Sequence, residues 1–130
     1  MVFVDTGAWF AWFVPDEPNH ASVARHLQAS REPLLTTDYC VDETLTLLVA
    51  RKRPILAVDA GRFFFEQDLV TLQFVSAEQI HRAWILFRQH ASAGWSFTDC
   101  TSKVVMDELG IKTAVALDVH FQQFGVVVVP

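Results

Sequence analysis

Asp5, Glu43, Asp99 and Asp118 lie far apart in the chain, and together they have the chemistry of one divalent-cation site. Asp5 closes the apolar run Val2-Phe3-Val4, Asp118 closes Ala114-Val115-Ala116-Leu117, and Asp99 opens the helical stretch from Cys100 to Leu109. Hard cations prefer carboxylate oxygen and water, and Mg²⁺ commonly keeps several waters while taking a few protein carboxylates and substrate phosphate oxygens. Such an ion polarises a phosphoryl oxygen and acidifies bound water. Two ions ~3.5–4 Å apart stabilise the attacking and leaving oxygens of an in-line displacement, so no side-chain nucleophile is required. Taken singly, each acid has an ordinary explanation: Asp5 and Asp118 as turn acceptors, Asp99 as a helix cap, Glu43 as an exposed helix residue. Brought together without a cation, however, they would repel and raise one another's pKa values.

Patterning gives the elements that must carry these acids. Val2 to Val4 reads as a strand running into Asp5-Thr6-Gly7 and then a short helix from Ala8 to Val14, which Pro15 stops. After the polar break Asp16 to Asn19, Ala21, Ala24, Leu27 and Gln28 follow helical spacing to about Ser30, and Leu34 to Thr37 reads as a second strand. Asp38 is expected to cap a helix through Val41, Leu45, Leu48 and Val49 that ends near Arg51-Lys52-Arg53, where Pro54 blocks continuation; Glu43 falls in its first turns. Ile55 to Gln67 is expected to be helical and Val70 to Val75 a strand. Ser76-Ala77-Glu78-Gln79 carries capping chemistry for a helix to about His90. Ala91 to Gly94 is a loop, Ser96 to Asp99 starts another helix, and Gly110 ends it.

Thr113 to Leu117 and Val126 to Val129 are short β-rich runs without strict alternation, as in parallel strands covered on both faces. Strands alternating with helices predict a three-layer α/β domain, its central, mainly parallel sheet of about five strands flanked by helices through right-handed crossovers. Ligands of such sheets collect outside the carboxyl ends of the strands. With no repeat or linker in sequence, residues 1–130 read as a single domain.

Composition supports a real core: 52% of the 130 residues are hydrophobic, and 11 Phe and 4 Trp exceed what one small core needs, which points also to a partner surface. The start Met1 to Asp5 has no secretory pattern, and no apolar run approaches the ~20 residues of a membrane span, so a soluble, cytoplasmic protein is expected. Cys40 and Cys100 are too few for a disulfide scaffold and read as small buried thiols. A net charge of −5 argues against a broad basic face for nucleic acid. If four of the 15 acids hold metal, though, the remaining 11 against 10 basic residues leave only −1.

The quoted segments resemble PIN-domain nucleases. Val2-Phe3-Val4-Asp5-Thr6-Gly7-Ala8-Trp9, Asp42-Glu43-Thr44-Leu45, Ser96-Phe97-Thr98-Asp99-Cys100 and Leu117-Asp118-Val119-His120-Phe121 stand in that family's order and spacing across the whole chain. The resemblance is greatest to the VapC toxins of type II toxin-antitoxin systems, in Thr98-Asp99-Cys100, Glu108 to Ile111 and Asp118 to Gly125. It implies a Mg²⁺- or Mn²⁺-dependent endoribonuclease, a hydrolase with Asp5, Glu43, Asp99 and Asp118 as metal-binding residues and Thr6 and Thr98 as supporting hydroxyls. It also implies an RNA substrate, a VapB-type antitoxin partner and a homodimer. Ala116 departs from the pattern, because many PIN domains have Thr two residues before the last acid.

Among other residues, Arg51-Lys52-Arg53 could hold RNA phosphates, although a helix dipole also favours cations at its C-terminus. His120, beside Asp118, could touch substrate. His20, His26, His81 and His90 are scattered and make no metal set. Trp9, Phe10, Trp12 and Phe13 leave the first helix little polar face, and Ile80, Trp84 and Phe87 form one stripe; both sets are expected chiefly in the core. The competing reading is an RNA- or protein-binding module that keeps the acids without cleaving. A phosphatase of another α/β family fits less well, since Asp5-Thr6-Gly7 lacks a second aspartate two residues on.

Overall fold

Five strands with the β-branched and aliphatic character of a buried sheet form one fully parallel layer. The computed structural model describes residues Met1–Pro130. In chain order these are β1 (Val2–Val4), β2 (Leu34–Thr37), β3 (Thr71–Gln73), β4 (Thr113–Val115) and β5 (Val127–Val129). They lie in the order β3-β2-β1-β4-β5, with Val4 opposite Val115 and Phe3 opposite Leu35. The helices are α1 (Thr6–Phe13), α2 (His20–Ala29), α3 (Asp38–Ala50), α4 (Pro54–Glu66), α5 (Ala77–His90) and α6 (Phe97–Leu109), with short 3₁₀ turns at Ala91–Ala93 and Val119–Gln123.

Alternation along β1 divides the core. Val2 and Val4 pack with Trp9, Val23, Val41, Leu48 and Phe64 of α1 to α4 on one face, while Phe3 packs with Cys100, Val104, Val105 and Phe121 on the other, under α5 and α6. The three expected layers are therefore present. The chain builds leftward from β1 to β3 and then jumps to β4 on the other side of β1, so strand order reverses between β1 and β4. At such a reversal the two crossovers leave in opposite directions and open a crevice at the carboxyl edge.

Several boundaries differ from the sequence expectation. Thr37, not Asp38, caps α3, its hydroxyl accepting from the Cys40 amide at 3.1 Å. Asp38 instead accepts from the Val75 amide at 2.8 Å and ties the chain leaving β3 to α3. The third strand holds only three residues, because beyond Gln73 the backbone turns to that contact rather than to β2. Pro54 does more than stop α3: it occupies the first turn of α4, where a missing N–H costs nothing. The aromatic cluster of α1 is core, with Trp9 fully buried and Trp9, Trp12 and Phe13 packed edge to face against Phe63. The α5 stripe is only half covered: Phe87 packs on Phe97, whereas Trp84 is 48% exposed under the Arg88 guanidinium.

Candidate metal centre

Asp5 and Asp118 follow β1 and β4, the pair at which strand order reverses. Asp5 is fixed by its amide donating to Val115 O at 3.0 Å. A buried chain of bonds steadies the same strand end: Trp9 Nε1 donates to Thr36 Oγ1 at 3.0 Å, and that hydroxyl donates to Val4 O at 2.9 Å. Asp5 stands at the N-cap position of α1, yet its carboxylate caps nothing. It is 4% exposed, with only the Cys40 thiol donating to Oδ1 at 3.7 Å.

Asp99 is held differently. Ser96 caps α6 through a reciprocal capping box, its hydroxyl accepting from the Asp99 amide at 3.0 Å while its own amide donates to Asp99 Oδ2 at 2.9 Å. The cap is thus Ser96, and Asp99 is its third-position partner, which buries the carboxylate and leaves Oδ1 without a donor from the chain. Asp118 caps the 3₁₀ turn Val119–Gln123, Oδ1 accepting from the His120 amide at 2.9 Å. The His120 ring then reaches both acids, Nδ1 lying 2.9 Å from Asp118 Oδ1 and 3.2 Å from Asp99 Oδ2. Asp99, Asp118 and His120 offer ligand atoms that all lie within 4.8 Å of one another.

Electrostatics joins the remaining acids to this group. Burial pushes the Asp5 carboxyl up to about 7, against the pull of the Thr6 amide, and the charges of Asp99, Glu43 and Asp118 raise it further. The Asp99 carboxyl is raised chiefly by burial and also by Asp118, with the Ser96 amide and His120 opposing. Four carboxylates from four separate segments thus act on one another. Glu43 is exposed on α3 and shares an open groove of about 320 Å³ with Tyr39, Asp42 and Thr98, so the acids run from a buried floor to an accessible rim. Thr6 Oγ1 is buried without a hydrogen-bond partner beneath the same centre.

The residues fit a hard divalent cation. The four acids offer only oxygen, Asp5 has given up its capping role, and no Lys or Arg forms an ion pair with any of them. The structure does not bring Arg51, Lys52 and Arg53 to this edge. They follow Glu43 by eight or more residues along and past α3, roughly 12 Å of helix rise. Arg53 forms a two-pronged pair with Asp16 at 3.0 and 2.7 Å, Arg51 lies over Phe10, and Lys52 turns the chain at φ 61°. Ala116 spends its methyl in the apolar cluster around Phe3 and Phe121.

Cys40 and Ser102 are floor residues that the acid motif does not single out. The Cys40 thiol lies 3.7 Å from both Asp5 Oδ1 and Ser102 Oγ, and burial, reinforced by Asp5, pushes it up to about 12, so it remains a neutral donor. A signal existed: Cys40 is one helical turn before Glu43, and Ser102 one turn after Asp99.

Fold and centre together define an α/β protein that gathers carboxylates at the switch point of a parallel sheet. Comparison with known proteins carries the description further. The sequence profile of the PIN domain matches residues 2–127, and the chain belongs to the PIN-domain family. It is 35% identical over 128 residues to the 23S rRNA-specific endonuclease VapC20 of Mycobacterium tuberculosis, covering 98% of this chain and 96% of that protein. A VapC ribonuclease of Archaeoglobus fulgidus is 30% identical over 114 residues, covering 84% and 72%. The crystal structure of Mycobacterium tuberculosis VapC20, described as a sarcin-ricin loop cleaving toxin, superposes with a TM-score of 0.93 at 31% identity over the whole of both chains. FitAcB of Neisseria gonorrhoeae shares the fold at 15% identity, with a TM-score of 0.73 over 100% of this chain and 97% of its own.

Proposed function

We propose that the chain is a metal-dependent endoribonuclease, the toxin of a VapBC-type toxin-antitoxin pair, in which Asp5, Glu43, Asp99 and Asp118 hold Mg²⁺ or Mn²⁺. The observation that carries this reading is the cluster of Asp99, Asp118 and His120, whose ligand atoms lie within 4.8 Å of one another at the switch point that also buries Asp5, in a chain 35% identical to an rRNA endonuclease. When bound, the cation polarises a phosphoryl oxygen and makes water a better nucleophile. The chain's own contribution is positional. Asp5 and Asp99 supply buried carboxylates on a rigid floor, Asp118 closes the side, and Glu43 and Thr98 meet the substrate-accessible groove. Thr6 Oγ1 has an unused hydrogen-bonding capacity beside Asp5 that suits a supporting role.

RNA enters from the side of Glu43 and the partly exposed Asp118 in this reading, because Asp5 and Asp99 are buried beneath the sheet and its helices. The VapC relatives support a VapB-type antitoxin as partner, and the exposed Ile55, Val58 and Phe65 of α4 give it an apolar surface to cover. Dimerisation and a cytoplasmic setting are part of the same proposal; no helix is long and apolar enough to cross a membrane. Cleavage-site mapping on cellular RNA after induced expression, with Asp99→Asn as control, tests the function. New 5′ ends at defined positions, 23S rRNA being the first place to look, are expected with wild type alone; the same ends with Asp99→Asn would refute it.

A further inference from the structure

Asp99 and Asp118 each have one oxygen engaged by the chain and one free of it. Asp99 Oδ2 accepts the Ser96 amide and Asp118 Oδ1 the His120 amide, both at 2.9 Å. The His120 ring nitrogen Nδ1 makes a hydrogen bond with Asp99 Oδ2 at 3.2 Å and lies beside Asp118 Oδ1 at 2.9 Å, while Asp99 Oδ1 and Asp118 Oδ2 receive no hydrogen bond from protein. A carboxylate acceptor in line with this ring nitrogen assigns the proton to Nδ1.

We propose that His120 is a positioning residue of the acidic centre: its ring Nδ1–H holds the rear oxygen of Asp99 while its backbone N–H holds that of Asp118, which spaces the two acids and leaves their front oxygens turned to the cation. This rests on the cation-dependent reading above. Asp99 belongs to α6 and Asp118 to the loop after β4, and they repel; one residue that donates to both, by ring and by backbone, sets their spacing. The two acids are thereby linked, because Asp118 caps the turn that carries the ring holding Asp99. Gly94, at φ +89°, accommodates the other side of the ring: a Cβ there would stand 3.4 Å from His120 Nε2. The motif spacing, an acid followed two residues later by His, thus serves the metal ligands rather than the RNA.

The test is calorimetric titration of Mn²⁺ into the full-length wild type, His120→Ala, His120→Asn and His120→Gln. The Asn amide nitrogen falls near the place of Nδ1 and can replace its donor, whereas the Gln amide falls near that of Nε2. His120→Ala and His120→Gln are expected to weaken Mn²⁺ binding by roughly 10–100-fold, with His120→Asn close to wild type. Electron spin-echo spectra of wild-type protein with Mn²⁺ are expected to show no directly bound nitrogen. A bound nitrogen would make His120 a ligand and overturn the assignment, as would equal Mn²⁺ affinity in the wild type and the Ala or Gln variant. Wild-type protein that takes up no Mn²⁺ would instead overturn the cation-dependent reading, and the positioning role with it.

Discussion

Asp5 is a carboxyl whose ordinary surroundings have been stripped away. It sits where a helix cap would sit but caps nothing, and burial with three neighbouring acids pushes its pKa up to about 7 from 3.8. A folded-state value above the unfolded one means that the folded protein binds the extra proton. Stability from this group is therefore fully present below about pH 4 and lost as pH rises through about 7. The raised Asp99 carboxyl acts in the same direction. In EDTA, Asp5→Asn should consequently stabilise the protein relative to wild type at pH 8, by at most on the order of 4 kcal/mol, and give little gain at pH 4.5. Urea midpoints of the two proteins at both pH values measure this; a difference that does not grow with pH would show that Asp5 is not held in a repulsive cluster. The identity of the acids was legible in the sequence. The use of each oxygen was not, since capping by Ser96 and bridging by His120 depend on which carboxylate oxygen faces which donor.

The elements act as brackets for these side chains, and Thr36 of β2 shows how. Its hydroxyl is fully buried, accepts from Trp9 of α1 and donates to the last carbonyl of β1, so one residue ties three elements directly before Asp5. Thr36→Val keeps the shape but leaves an indole N–H and a carbonyl unpaired, and should cost about 1–3 kcal/mol in equilibrium unfolding. A loss below the error of the measurement would mean that the strand end is fixed by packing alone. Such ties cross 27 and 32 residues of chain, beyond any local pattern. Local patterns did reveal β1, β2, the capping box at Ser76 and Gln79, and the Gly110 stop of α6, because each depends on neighbours within one turn or one strand. They placed the end of β3 too late and the α3 cap one residue late, since Val75, Asp38 and Thr37 are arranged by a contact between elements.

At the scale of the whole molecule, topology converts separate acids into one centre. Reversal of strand order at β1 and β4 brings Asp5 beside the loop of Asp118, the β2–α3 junction sends Glu43 to the rim, and the α5–α6 layer delivers Asp99 from the opposite face. The net charge of −5 is then mostly the charge of this centre, and the six ion pairs of Lys, Arg and the N-terminus lie at exposed or partly exposed positions, where such pairs add little stability. Cleavage of RNA by the purified protein in Mn²⁺ against EDTA, alongside Asp5→Asn and Asp99→Asn variants shown to be folded, tests the central claim most directly. Cation-dependent cleavage by wild type is expected, with each variant losing more than the roughly 10–100-fold typical of a lost supporting group. Cleavage that persists in EDTA, or survives in both variants, would contradict a nuclease centre built from these acids.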